Sequence, residues 1–190
     1  TLEHLAIQDL PIEKRQLGLL QQSPLLFNHL TVEENLLFAY KSPESRFLRK
    51  QAIRSKLEEI GLEGLEHQLP QHLSGGQQAR LALLRTLLAK PKALLLDEPF
   101  GMLDSLTRGE LQDILIEIWN KEKITAVMIT HDVDEAIFLA DRVVMMTSGP
   151  KAKIGDILDI DFERPRTRKS VLEHDDYYKY RKHLIDFLEH

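Results

Sequence analysis

Apolar residues in the second half of the chain fall into short continuous runs that predict buried strands. The runs span residues 93–96, 126–129 and 143–146. Runs of this length suit strands that are buried on both faces, as in a parallel sheet. Amphipathic segments at 106–119 and 133–140 separate the runs. Strands that alternate with helices in this way predict an α/β domain with a parallel sheet.

Upstream of these runs the pattern becomes helical. Residues 30–89 read mainly as helix, with a break at Pro43 and an N-cap at Thr31. Pro91 ends the last helix of this segment, because proline cannot continue the backbone hydrogen-bond ladder. Later in the chain, Asp132 predicts a further N-cap, with a glutamate three residues on as in a capping box. The contrast predicts a helical subdomain inserted into an α/β core.

Composition and charge narrow the classes of protein. The chain has 30 acidic and 25 basic residues, a net charge of -5 with both signs interspersed, so no nucleic-acid partner is expected. The absence of cysteine excludes a disulfide scaffold and thiol metal ligands. No apolar run approaches the roughly 20 residues that span a bilayer, so any membrane association is expected through a partner protein.

The run at 93–96 ends in two adjacent carboxylates, Asp97 and Glu98. Ligands of open α/β sheets bind beyond the carboxyl ends of the strands, and the alternation of side chains points the two acids in different directions. The pattern alone suits a ligand site. It equally suits a buried strand that ends in solvated acids at a turn.

A second candidate lies at Ser74, Gly75, Gly76 and Gln77, which precede a strong helix-forming segment. The N–H groups at a helix N-terminus favour anions, and glycine lets the backbone approach a phosphate closely. An ordinary Ser-Gly-Gly turn before a helix is the alternative for these four residues alone.

Taken together, residues 73–104, LSGGQQARLALLRTLLAKPKALLLDEPFGMLD, resemble the nucleotide-binding subunits of ABC transporters. The string follows their order of signature motif, helix, Walker B strand, acidic residue and D-loop without interruption. The resemblance extends over nearly the whole chain. It implies a P-loop NTPase (RecA-like) core with a parallel sheet and an inserted α-helical subdomain, which binds and hydrolyses ATP.

The resemblance implies roles for individual residues, with ATP and Mg²⁺ as cofactors. Asp97 would help to place Mg²⁺ through water, and Glu98 would orient and deprotonate the attacking water. The loop Ser74–Gln77 would cap the γ-phosphate of ATP bound to a second subunit. The active site would then be a property of a dimer.

Three further residues take roles from the same resemblance. His131 would be the switch histidine, which contacts the γ-phosphate and holds the geometry with Glu98. Asp104 would couple the two active sites across the dimer, although it or Ser105 also suits a helix cap. Gln22 would sense Mg²⁺ and the γ-phosphate, with Gln21 as the alternative by one position, and the loop behind it would contact the membrane partner.

One motif of this family is absent. The sequence has no G-x-x-x-x-G-K-[ST] phosphate loop, which in the family lies upstream of the point where this chain begins. We therefore expect an N-terminally incomplete cassette that, as given, binds ATP poorly and hydrolyses it negligibly. Its expected segments are a core segment with the Q-loop (1–22), a mainly helical subdomain (23–89), an α/β core (90–150) and a C-terminal tail (151–190).

The tail narrows the resemblance further. Residues 98–108, 145–150, 154–158, 164–168 and 177–181 are similar to the nitrate, nitrite and cyanate import ATPases. This implies ATP-driven dimer closure at the cytoplasmic face of the inner (plasma) membrane, with permease subunits and, indirectly, a periplasmic or surface solute-binding protein as partners. Physically, the basic part of the tail reads more simply as a solvated surface segment.

Other functions stay open. A sulfonate or taurine importer shares much of the pattern. A non-transport ABC ATPase of DNA repair or translation is disfavoured, because the chain shows no coiled-coil insertion, second cassette or basic face. A regulatory module without catalysis is disfavoured by the intact Glu98, His131 and LSGGQ.

Overall fold

The computed structural model describes residues 9–11 and 14–189, which form two compact units. The first unit contains the described residues up to Ile114 together with Glu122–Ile129, and the second contains Leu115–Lys121 and the described residues from Thr130 onward. Among the helices of the described residues, none is both long and apolar enough to cross a membrane.

A parallel sheet forms the centre of the first unit. Its strands are β1 (Leu17–Gln21), β2 (Ala93–Asp97) and β3 (Thr125–Ile129), in that order and all parallel. The expected parallel sheet is confirmed. The expectation that each run is buried on both faces is wrong for β3, where Val127 is 57% and Ile129 is 62% exposed. This strand lies at the edge of the described sheet and has a neighbouring strand on one side only.

The helical segment lies in the same unit. It contains α1 (Val32–Ala39), α2 (Arg46–Glu59), a short 3-10 helix (Pro70–His72) and α3 (Gly75–Leu88). Helix α4 (Ser105–Glu122) follows β2, and its residues Leu115–Lys121 belong to the second unit. Leucine, isoleucine and valine side chains of these helices form one buried cluster, which includes Val32, Leu36, Ile53, Leu57, Leu81, Leu84 and Leu88. The expectation of helices beside an α/β sheet is confirmed, and packing of these apolar faces holds them together.

Two caps that the sequence predicts are present. The Thr31 hydroxyl accepts from the Glu34 N–H, and the Glu34 carboxylate accepts from the Thr31 N–H at 2.9 Å, which completes a capping box. In the second unit the Asp132 carboxylate accepts from the Glu135 N–H at 3.0 Å. Both caps satisfy donors that a helix N-terminus leaves without an intrahelical acceptor.

The second unit contains α5 (Val133–Leu139), β4 (Arg142–Met146), β5 (Ile154–Asp159), α6 (Arg168–Leu172) and α7 (Tyr177–Leu188). Strand β4 pairs antiparallel with β5, so the expectation that the third apolar run joins the parallel sheet is wrong within the described residues. The short connection between the two strands allows a hairpin, whereas a parallel pair needs a crossover of about a dozen residues or more.

Two arginines of the basic segment are packed into this unit, so the expectation of a solvated segment is wrong for Arg164 and Arg166, whereas Lys169 is exposed as expected. Arg166 is 4% exposed and donates to the carbonyl oxygens of Ile160, Phe162 and Ala140 at 3.1, 3.0 and 2.6 Å. The guanidinium of Arg164 lies 4.0 Å from the centre of the Trp119 ring. Because a guanidinium presents five donors in a fixed plane, it can satisfy several carbonyls of one loop at once.

Tyr177 is expected to make stability depend on pH in the alkaline range. Its hydroxyl donates to Asp134 at 2.8 Å, and burial, followed by this hydrogen bond, raises its pKa from 10.0 to about 12. The neutral phenol is therefore favoured in the folded state. Its contribution to stability, on the order of 2 kcal/mol, is complete below pH 10 and is lost as the pH rises to about 12.

We expect the free energy of unfolding to fall across this pH range and Tyr177→Phe to remove most of the fall. Urea unfolding at pH 9, 10 and 11 measures the slope, and the difference in phenolate absorbance between the two proteins reports the pKa. Tyr178→Phe is the matched control, since Tyr178 is 72% exposed. Equal slopes for all three proteins would contradict the assignment.

Candidate functional site

The carboxyl ends of β1 and β2 bring the first candidate residues together. Gln21 pairs in register with Asp97, so Gln22 and Glu98 each follow the end of a neighbouring strand. The Gln22 amide nitrogen donates to the Glu98 carboxylate at 3.4 Å, although 76 residues separate the two in sequence. This contact favours Gln22 over Gln21 as the glutamine beside the acid.

Glu98 has an unusual backbone. Its φ is +43°, in the left-handed region that non-glycine residues rarely adopt. The Glu98 N–H donates to the Ile129 carbonyl of β3 at 2.9 Å, and the Glu98 carbonyl accepts from the Gly101 N–H at 3.1 Å. Such a conformation costs roughly 1–3 kcal/mol and persists where the surroundings hold it. Here the bonds to β3 and to the following turn hold Glu98 at the sheet edge.

Gly101 is a further residue of the site and lies in the segment that resembles a D-loop. A Cβ atom at this position would lie 2.9 Å from the Gln22 amide nitrogen and 3.5 Å from a Glu98 carboxylate oxygen. A larger residue there would have to displace the end of the Gln22 side chain, which bonds to Glu98. In the sequence, the short spacing from Glu98 to Gly101 is the signal that could have predicted this role.

The glycine-rich loop begins α3 through a capping box. The Ser74 hydroxyl accepts from the Gln77 N–H at 3.3 Å, and the Gln77 side chain accepts from the Ser74 N–H at 2.9 Å. This gives Ser74 and Gln77 a structural role that the spacing S-x-x-Q allowed to be predicted. At Gly75 a Cβ would meet nothing within 4 Å, whereas at Gly76 it would clash with the Thr107 methyl group.

Asp104 caps α4, as one interpretation of the sequence predicted. Its carboxylate accepts from the N–H groups of Leu106 and Thr107, each at 3.1 Å. The Thr107 side chain is also bonded to this carboxylate, and that bond and the Thr107 N–H lower the pKa of Asp104 most. Asp104 thus stays ionised at the start of the helix, where the macrodipole favours an anion.

The loop behind Gln22 is held by Asn35, which the sequence analysis did not single out. Asn35 is fully buried, and its amide donates to the carbonyls of Phe27 and Leu30 at 3.1 and 3.0 Å and accepts from the Phe27 N–H at 3.0 Å. Together with Arg85, which donates to the Leu25 carbonyl, this side chain holds the loop between Gln22 and α1.

The structure divides the predicted residues between the two units. Gln22, Asp97, Glu98, Asp104 and the loop 74–77 belong to the first unit, whereas His131 belongs to the second, directly after β3. The described residues contain no cluster of three or more histidine or acidic side chains that would enclose a metal ion. The oxygen donors at the sheet edge are Asp97, Glu98 and the amide of Gln22.

A parallel sheet with acids beyond its carboxyl edge, a glycine-rich helix N-terminus and a helical subdomain defines a nucleotide-binding cassette of the P-loop NTPase class. A family model described as ABC transporter matches residues 2–101. The chain belongs to this family, and the family and fold expected from the sequence are confirmed.

Known relatives agree. The chain is 46% identical over 161 residues to the nitrate import ATP-binding protein NrtD of Synechococcus elongatus, covering 83% of this chain and 59% of the relative. It is 50% identical over 171 residues to the bicarbonate transport ATP-binding protein CmpC of the same organism, covering 88% of this chain and 26% of the relative. The chain thus spans about three fifths of one relative and about a quarter of the other.

Solved structures give the same fold. The ATP-binding cassette MJ0796, in a dimeric post-hydrolysis state bound to ADP and Pi, matches with a TM-score of 0.67 and 27% identity over 82% of this chain and 70% of that one. The protein cbiO1 of Clostridium perfringens, part of the ABC transporter complex cbiONQ, matches with a TM-score of 0.60 and 29% identity over 68% and 52%.

Proposed function

We propose that this chain is the ATP-binding and hydrolysing part of an importer of a small anion, with nitrate or nitrite as the first candidate and cyanate as a further one. The observation that carries the proposal is the contact between Gln22 and Glu98 at the carboxyl edge of the sheet. It holds an acid and an amide where ligands of α/β sheets bind. The similarity to the nitrate import protein NrtD supports the choice of anion.

The residues at this edge fit magnesium bound with a nucleotide. Mg²⁺ binds through one or two carboxylates and keeps several waters, so it needs no enclosing cluster of protein ligands. Asp97 supplies a carboxylate, and Gln22, which donates through its amide nitrogen, retains its oxygen as a ligand atom. When bound, Mg²⁺ neutralises charge on the phosphates.

Individual residues of the chain then have separate roles in hydrolysis. Glu98 holds the attacking water and takes its proton, and the Gln22 amide keeps that carboxylate in place. The first turn of α3 presents N–H groups to the phosphate of a nucleotide on a second subunit. We assign His131 to the γ-phosphate and Asp104 to coupling between the two subunits of the dimer.

Membrane permease subunits are the proposed partners, with the loop behind Gln22 as the contact. Two large apolar side chains are exposed at this loop and in the helix that follows it: Leu25 by 64% and Phe38 by 66%. The Phe38 ring packs against Phe27 of the loop, and buried Asn35 holds the loop in place. An ordered apolar surface of this kind suits a protein partner. The chain would then lie at the cytoplasmic face of the membrane, and a solute-binding protein would act through the permease.

Anion uptake tests the proposal directly. Cells that lack the gene are complemented with the natural gene or with the Glu98→Gln variant, and uptake of nitrate, nitrite, cyanate, bicarbonate and taurine is measured. We expect the natural gene, but not the variant, to restore uptake of nitrate or nitrite.

Restored bicarbonate uptake would support the second candidate, which rests on the 50% identity to the bicarbonate transport protein CmpC. Taurine uptake alone would contradict the proposed anion class. Restoration of none of the five would contradict an importer role.

A further inference from the structure

The loop that contains Asp104 and the loop that contains Ser74–Gln77 meet at Thr107, a residue that the proposed mechanism does not use. Thr107 lies in the first turn of α4. Its side chain and its N–H both bond to the Asp104 carboxylate. Its methyl group faces Gly76, in the first turn of α3.

The contact with Gly76 is close. A Cβ built on Gly76 would overlap the Thr107 methyl, while the Thr107 Cβ and hydroxyl oxygen would lie at 3.5 and 3.7 Å, which are ordinary contact distances. Of the Thr107 atoms, the methyl group therefore lies nearest to the place that a side chain at Gly76 would occupy.

A second contact fixes the same pair of helices one turn further on. Arg80 of α3 forms an ion pair with Glu110 of α4. Gly76 and Arg80 are four residues apart and lie on one face of α3, just as Thr107 and Glu110 share a face of α4. The two N-terminal halves are thus held side by side, and a shift of one helix end moves the other.

We propose that Thr107 is a positioning residue that links the Asp104 loop to the Ser74–Gln77 loop within one chain. The inference rests on the proposed function, in which Asp104 and the glycine-rich loop each face a second subunit. A displacement of Asp104 is carried through the Thr107 hydroxyl to its methyl group and so to the glycine that approaches phosphate. One composite site thereby reports its state to the other through Thr107.

A double-substitution cycle tests the contact in the natural full-length protein. We expect Gly76→Ala to speed hydrogen–deuterium exchange of amides 75–78 by about fivefold or more, and Thr107→Ser to reverse most of that effect because it removes the clashing methyl. Gly75→Ala is the matched control: a side chain there meets nothing, so Thr107→Ser should not reverse its effect. Additive effects of Gly76→Ala and Thr107→Ser would overturn the contact.

Thr107→Val tests the link, since it keeps the methyl group and removes the hydroxyl. We expect faster exchange at both 102–106 and 75–78, by about threefold or more, and a similar fall in the kcat of ATP hydrolysis with KM changed less than twofold. Thr86→Val is the control, because the Thr86 hydroxyl bonds within α3, to the Ala82 carbonyl at 2.9 Å. An effect of Thr107→Val confined to 102–106 would overturn the link.

Exchange is measured without nucleotide, so the two proposals fail separately. A natural protein that hydrolyses no ATP but shows the expected exchange contradicts the proposed function and supports the link. An active protein with exchange changes on one side only contradicts the link alone.

Discussion

The Glu98→Gln variant of the natural full-length protein is expected to lose at least about 100-fold of its magnesium-dependent ATPase rate, which is the usual contribution of a general base. An amide cannot take the proton of the attacking water. The substitution keeps the shape of the side chain, and its remaining carbonyl oxygen can still accept from the Gln22 amide. ATP affinity should therefore stay within a few-fold of the unsubstituted protein.

Phosphate release under saturating ATP measures the rate, and a fluorescent nucleotide measures the affinity. Glu117→Gln is the matched control, since it removes the same charge from an exposed residue of α4. A Glu98→Gln protein that keeps more than a tenth of the rate would contradict the role of Glu98.

For the isolated 190-residue chain we expect negligible ATPase, and magnesium-dependent activity that Glu98→Gln abolishes would contradict the need for a phosphate loop.

Arg166→Ala is expected to produce the largest loss of stability among substitutions in the tail, about 3 kcal/mol or more. Arg166 is 4% exposed, and its guanidinium serves the carbonyls of Ala140, Ile160 and Phe162 and the Asp141 carboxylate. Removing it leaves several buried acceptors without their donor. Burial is the main cause that lowers the pKa of Arg166. The carbonyl and carboxylate acceptors nevertheless stabilise the charged guanidinium.

Fluorescence of Trp119, the single tryptophan, measures this loss in urea, because Arg164 of the same tail segment stacks on its ring. Lys169→Ala is the control: Lys169 is 82% exposed in its side chain and forms an ion pair at 3.9 Å, so its loss should cost less than about 1 kcal/mol. The loss of stability for Arg166→Lys should lie between the losses for Arg166→Ala and Lys169→Ala, since an ammonium cannot reach all the acceptors. A loss below 1 kcal/mol for Arg166→Ala would show that the carbonyls find other donors.

Features that depend on a few neighbouring residues could be predicted from the sequence. The apolar run before Asp97 marks β2, and the spacing of Thr31 to Glu34 marks the start of α1. The caps at Asp104 and Asp132 follow the same logic. A cap or a buried strand is set within one turn or one strand of chain, so the amino-acid order alone carries the information.

Other features depend on which distant segments meet, and these only the tertiary structure decided. The apolar run correctly predicted that β4 is a strand, but the prediction that it joins the parallel sheet was wrong, since it pairs with β5. An apolar run does not specify which strand it pairs with. Charge suggested that Arg166 is solvated, whereas the carbonyls of a folded loop bury it.

The candidate site divides in the same way. The sequence by itself determined the family, the order of the motifs and the acids at the strand end. Only the folded chain decided that Gln22 contacts Glu98 across 76 residues and that Thr107 touches Gly76. Such contacts arise from the packing of whole helices and strands, in which each side chain's neighbours are fixed by register and close approach rather than by sequence distance.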